Sequence, residues 1–110
     1  MLKYLFLCAY GIDRSPTAVD VARQIALERG LELEASSRGF KKFWDFPDSY
    51  LKSYFDLFDK VFVMDSEMQE RVLRTGYSAE RVHCLDITDD YVRGDVHLVR
   101  ELEFKLRDWI

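Results

Sequence analysis

Leu2-Lys3-Tyr4-Leu5-Phe6-Leu7-Cys8-Ala9-Tyr10-Gly11-Ile12-Asp13-Arg14-Ser15-Pro16 passes from a nearly continuous apolar run, through a turn, into a helix start. An apolar run without polar alternation belongs to a strand covered on both faces, as in a parallel sheet. After it, Ala18, Val21, Ala22, Ile25 and Ala26 recur at helical spacing toward Arg29, and Gly30 is a stop signal. Strand, short turn and helix in this order open a βαβ unit.

The turn carries the chemistry. A thiol at Cys8 that faces backbone N–H groups and a helix N-terminus sits in fixed positive partial charge. That charge favours a thiolate, and equally a bound phosphate or sulfate. Six residues on, Arg14 adds a planar fork of donors matched to two oxygens of such an anion. The Ser15 hydroxyl has two candidate tasks, capping the helix and donating to the Cys8 sulfur. Pro16 then falls at the first helical position, where its missing N–H costs nothing. The plain alternative is a buried, inert strand-end cysteine beside an ordinary capped helix.

The remaining chain continues the alternation. Leu31 to Ala35 reads as a half-exposed edge strand, and Ser36 to Pro47 as a long loop crowded with Phe40, Phe43, Trp44 and Phe46. Asp48 to Phe58 holds a short helix, and Lys60 to Met64 a buried strand. Ser66-Glu67-Met68-Gln69 matches a capping box that opens a helix ending near Thr75-Gly76. Val82 to Leu85 is a short strand; after the acidic run Asp86 to Asp90, Leu98, Val99, Leu102, Leu106 and Trp109 give one apolar face to a last helix. Strands alternating with helices imply an α/β three-layer sandwich around a four-stranded parallel sheet with right-handed crossovers. Ligands of such sheets bind beyond the carboxyl ends of strands near a topological switch, which is where Cys8 falls.

Bulk properties narrow the functional classes. The 110 residues suit one domain, 1–110, and a net charge of −4 argues against a nucleic-acid partner while leaving room for one small anion site. Two cysteines are too few for a disulfide scaffold, and a reactive thiol suits a reducing compartment. The first apolar stretch is too short for a membrane span. The expectation is a soluble cytoplasmic protein with no membrane partner. Asp86, Asp89 and Asp90 read as a solvated loop rather than a metal cluster, so no metal or cofactor is expected; Asp89 and Asp90 stay in reserve as candidate acids.

On Cys8 with Arg14-Ser15-Pro16-Thr17-Ala18, then Val61-Phe62-Val63-Met64, then Leu85-Asp86-Ile87 leading to Asp95, the chain resembles the low-molecular-weight protein tyrosine phosphatases, specifically their short bacterial and archaeal members. The resemblance implies that fold and a phosphomonoesterase, acting on a phosphorylated protein or a small aryl phosphate. It assigns Cys8 as nucleophile through a cysteinyl-phosphate, and Arg14 with the backbone of Ala9, Tyr10, Gly11, Ile12 and Asp13 as the phosphate cradle. Asp95 is general acid and then base, and Tyr10, Phe40, Phe43, Trp44 or Tyr91 are the candidate substrate walls, with core packing the plain alternative for Phe43 and Trp44. The chain departs from the family pattern in having Val96 after the acid where Pro is usual. Gly11 stands in place of a bracing Asn, Asp13 in place of a second cysteine, and the usual paired tyrosines are missing. Asp95 also has a plain reading as a helix N-cap. Two other functions share the scaffold. One is a phosphate- or phosphotyrosine-binding module with little or no turnover. The other is arsenate reduction, disfavoured because only Cys84 is available as a relay thiol.

Overall fold

The computed structural model describes residues 1–110. Its strands are β1 (Leu2–Cys8), β2 (Leu33–Gly39), β3 (Lys60–Val63) and β4 (Val82–Cys84). Its helices are α1 (Arg14–Glu28), α2 (Asp48–Phe55), α3 (Ser66–Arg74) and α4 (Val96–Leu106). All strand pairs are parallel, in the order β2-β1-β3-β4. The first crossover therefore leaves β1 in one direction and the next returns to its other side, which puts the topological switch at the carboxyl end of β1.

β1 is central, and its apolar run has the expected cause. Leu5, Phe6 and Leu7 are fully buried, as are Val61, Phe62 and Val63 of β3. Phe6 and Phe62 are register partners and their rings stack with centroids 4.8 Å apart. Burying each such side chain contributes about 1.5–3 kcal/mol. α1 and α4 pack together on one face of the sheet, with Ala18, Ala22 and Ile25 of α1 and Leu98, Leu102 and Leu106 of α4 buried. α3 packs on β3 and β4, with α2 beside it. α1 ends as its glycine predicts: Gly30 takes φ 66°, its N–H donates to Leu27 O, and Leu31 N–H reaches back to Ala26 O.

The structure differs from the sequence reading most clearly at four places. The second strand runs on through Ser36, Ser37 and Arg38 to Gly39, where polarity suggested a loop; β1 supplies its hydrogen bonds along the whole length, so side-chain polarity does not stop it. The cap of α3 is Asp65, whose carboxylate accepts Met68 N–H at 2.9 Å, rather than Ser66. Pro16 is the third helical residue of α1, still within the turn whose N–H groups lack helical partners. Trp109 lies beyond α4 and stacks on His83, with ring centroids 3.6 Å apart.

Candidate active site

β1 delivers Cys8 to the carboxyl edge of the sheet, and the chain turns through residues 9–13 before α1 begins at Arg14. The turn folds back on its own start. Gly11 N–H donates to Cys8 Sγ at 3.2 Å, and Ser15 Oγ lies 3.1 Å from the same sulfur. Gly11 takes φ 72°, open to glycine without a steric penalty. Ser15 is fully buried and does not cap the helix, because the N-cap position belongs to Asp13. Of its two candidate tasks, the structure shows the contact with sulfur.

Arg14 is only 4 % exposed. Its Nη1 donates to Ile87 O at 2.8 Å, while Nε lies 3.4 Å from Asp89 Oδ1 without hydrogen-bond alignment and has no other partner. A buried guanidinium with donors left over is costly until an anion completes it. The Ile87 carbonyl is presented by a constrained segment. Asp86 takes φ 52°, which Asp tolerates better than most residues. Ile87 N–H donates to Met64 O, and Lys105 Nζ donates to the carbonyls of Leu85 and Asp86.

Two hollows open here. The smaller, of about 40 Å³, is lined by Cys8, Ala9, Tyr10, Ile12, Asp13, Arg14 and Asp89. The larger, of about 460 Å³, shares Ala9, Tyr10, Arg14 and Asp89 and adds Phe40, Lys41, Trp44, Asp65, Glu67, Met68, Asp86, Ile87 and Thr88. The first suits a single compact oxyanion beside a thiol, and the second a planar group between aromatic walls. Trp44 packs edge to face on buried Phe40, with centroids 5.2 Å apart. Its loop is held by Arg71, which donates to the carbonyls of Trp44 and Phe46 and to the Asp48 carboxylate.

The sequence-predicted residues divide. Cys8, Ala9, Tyr10, Ile12, Asp13 and Arg14 surround the small hollow, Ser15 lies against the sulfur, and Trp44 walls the larger cavity. Gly11 lines neither hollow; it touches the sulfur through its N–H and abuts Gly39. The Asp13 carboxylate is engaged by Arg93 N–H at 3.0 Å, and Thr17 Oγ1 accepts Gly94 N–H, which stitches the loop before α4 onto the start of α1. Asp95, expected as the acid, lines neither hollow. Its Oδ1 accepts the N–H groups of His97 at 2.8 Å and Leu98 at 3.4 Å as the N-cap of α4. The carboxylate beside Arg14 is that of Asp89. Its signal in the sequence was its place just after β4, at the ligand-binding edge of a parallel sheet. Arg71 was passed over; its signal was an arginine within the buried stripe Met68, Arg71, Val72. No group of His, Cys, Asp and Glu is arranged to hold a metal ion, and no helix is long and apolar enough to cross a membrane. Cys84 lines a different hollow, with Phe104 and Trp109.

No model of a known protein family and no curated protein matches the sequence. Solved structures do match the fold. A low-molecular-weight protein tyrosine phosphatase from Streptococcus pyogenes is similar with a TM-score of 0.70 at 20% identity, over 99% of this chain and 91% of the other. A tyrosine phosphatase from Escherichia coli K30, in complex with phosphate, is similar with a TM-score of 0.68 at 18% identity, over 99% and 96%. An arginine phosphatase with a phosphorylated active-site serine is similar with a TM-score of 0.64 at 20% identity, over 96% and 91%. The chain has the α/β fold of the low-molecular-weight protein tyrosine phosphatases, as the sequence motifs led one to expect.

Proposed function

We propose that the protein is a phosphomonoesterase, acting on phosphotyrosine or another aryl phosphate, that works through a cysteinyl-phosphate. The observation that carries this reading is the convergence of Cys8, buried Arg14 with its unpartnered Nε, and Asp89 on one small hollow. With phosphate seated there, the Cys8 thiolate attacks phosphorus; the S–P bond forms as the bond to the leaving oxygen breaks. Arg14 and the loop amides hold the remaining oxygens, which stabilises charge where it develops. Asp89, as the acid, gives its proton to the leaving oxygen. In the second step its carboxylate takes a proton from water, the resulting oxygen bonds to phosphorus, and the S–P bond breaks to return the thiolate. Ser15 Oγ–H donates to the departing sulfur, a role supported by its 3.1 Å separation from Cys8 Sγ. Tyr10, Phe40 and Trp44 are the walls for an aromatic leaving group.

The aryl phosphate assay on the parent protein, Cys8→Ser, Asp89→Asn and Asp95→Asn tests the reading. Hydrolysis that vanishes in Cys8→Ser and collapses in Asp89→Asn supports it; hydrolysis retained in Cys8→Ser sinks it. The carboxylates of Asp65, Glu67, Asp86 and Asp89 around the larger cavity favour a second substrate class, a phosphorylated guanidine, whose cation they would accommodate. Phosphoarginine in the same assay decides between the two leaving groups.

A further inference from the structure

Away from both hollows, Arg23 of α1, Arg38 of β2 and Arg93 of the loop before α4 line one groove of about 430 Å³ with Ser36, Ser37 and Gly11. Asp20 is the only acid on it. Three guanidinium groups against one carboxylate leave a local excess of two positive charges on a chain whose net charge is −4.

Each arginine is anchored in a way that leaves most of its five donors free. Arg23 Nη2 donates to Ala35 O at 3.3 Å, Arg38 Nη1 donates to Ser37 O at 3.2 Å, and Arg93 Nη2 lies 3.5 Å from Asp20 Oδ2. Both carbonyls belong to β2, the edge strand beside β1. With guanidinium groups already on them, the edge is poorly suited to receive an added strand. What the groove offers instead is forked cationic donors and half-buried serine hydroxyls, the complement of carboxylates and phosphates. It is also tied to the phosphate loop: Arg93 N–H is bonded to the Asp13 carboxylate, and Gly11 N–H to the Cys8 sulfur.

We propose that this groove binds an oxyanion-bearing stretch, either acidic side chains or a second phosphoryl group, of the polypeptide whose phosphorylated residue sits at Cys8. The identity of that polypeptide rests on the proposed function; the anion site does not. The groove thereby sets the direction in which a substrate chain lies, with its acidic side over Arg23 and Arg38.

The test is fluorescence anisotropy on the Cys8→Ser protein with labelled phosphotyrosine peptides followed by four glutamines, by four glutamates, or by glutamines with one phosphoserine. The two anionic peptides should bind about 10-fold more tightly than the neutral one, the effect of two partly exposed ion pairs, and lose that advantage in high salt. In Arg23→Gln/Arg38→Gln the three dissociation constants should converge. In Lys42→Gln/Arg100→Gln, an equal charge change elsewhere on the surface, the advantage should persist. Equal binding of all three peptides by the parent, or convergence in both double variants, overturns the groove. A phosphoserine peptide that binds more tightly than the glutamate peptide assigns the groove to a second phosphoryl group, and equal binding assigns it to acidic chain in general. Unphosphorylated glutamate peptide binding as tightly as its phosphotyrosine form upholds the groove and defeats the proposed function.

Discussion

Gly11 and Gly39 are packed so closely that neither position has room for a side chain. A Cβ on Gly39 would lie 2.6 Å from Tyr10 O, and one on Gly11 would lie 2.7 Å from Gly39 N. The turn that follows Cys8 is thus braced by the end of β2, reinforced by Lys41 N–H donating to Ala9 O. Gly39→Ala must push Tyr10, and with it the turn, away from β2. It should destabilise the fold by about 1–3 kcal/mol and lower kcat/KM for an aryl phosphate roughly 10-fold or more through misplacement of the cradle. Urea unfolding and steady-state kinetics measure the two effects. An alanine variant with parent kinetics would show that the loop does not depend on this contact.

Asp89 and Asp95 should respond to substitution in opposite ways. Asp89→Asn removes the proposed acid and should lower kcat about 100-fold or more, most strongly for poor leaving groups. Asp95→Ala removes two hydrogen bonds at the start of α4 and should cost about 1 kcal/mol of stability with kcat near that of the parent. Kinetics that place the large loss at Asp95 would return the acid to the position first read from the sequence.

The two carboxylates differ in how much of their role a single chain displays. The β1 run, the Cys8 to Ser15 turn and the parallel sheet were legible because each rests on local pattern: continuous apolarity, a fixed spacing, helical periodicity. Asp89 was legible only as a reserve candidate, because a carboxylate acquires its neighbour Arg14 only when the end of β4 is brought across the sheet, while the family resemblance pointed to Asp95. β2 was cut short at Ala35 because Ser36, Ser37 and Arg38 carry no apolar alternation. Its hydrogen bonds come from β1, a partner that local pattern does not display.

Ser15 should matter most in the second chemical step. Its Oγ is buried and 3.1 Å from the sulfur, and in the proposed mechanism it donates to a thiolate that regains full charge as the cysteinyl-phosphate is hydrolysed. A hydrogen bond to a charged group contributes roughly 1.5–3 kcal/mol, so Ser15→Ala should slow this step about 10- to 100-fold. Rapid-quench experiments should then show a burst of phenol followed by slow turnover. Absence of a burst together with a parent-like rate would remove Ser15 from the mechanism.

Arg71 couples stability to the aromatic wall. It is 4 % exposed and joins the carbonyls of Trp44 and Phe46 to the Asp48 carboxylate. Arg71→Ala leaves all three without this partner and should cost about 1–3 kcal/mol, because the Asp48 carboxylate is half-exposed and water takes over its charge. Arg71→Lys, lacking the planar fork, should recover only part of that loss. In the surviving fold, freeing the Trp44 loop should raise KM for aryl phosphates more than it changes kcat. Unfolding midpoints and a KM–kcat separation check both parts, and a lysine variant equal to the parent would contradict the fork geometry.

His83 predicts a pH dependence that has nothing to do with catalysis. Its ring lies between Phe62 and Trp109, its Nε2 is buried without a partner, and Lys60 sits over the Trp109 ring. Burial first, and the Lys60 charge second, hold its pKa below the ordinary 6.5. The unfolded chain therefore takes up this proton near pH 6.5, while the folded chain takes it up only at lower pH. Between those values the unfolded state binds more protons, so the contribution to stability is complete above pH 6.5 and is lost as pH falls toward the folded pKa. His83→Phe keeps a ring against Trp109 and removes the proton site. The difference in urea midpoint between variant and parent should shift in the variant's favour as pH is lowered from 7.5 to about 5, the range spanned by histidine titration. A difference that stays constant over this range would mean that His83 titrates alike in the folded and unfolded chains, and that neither burial nor Lys60 acts on it.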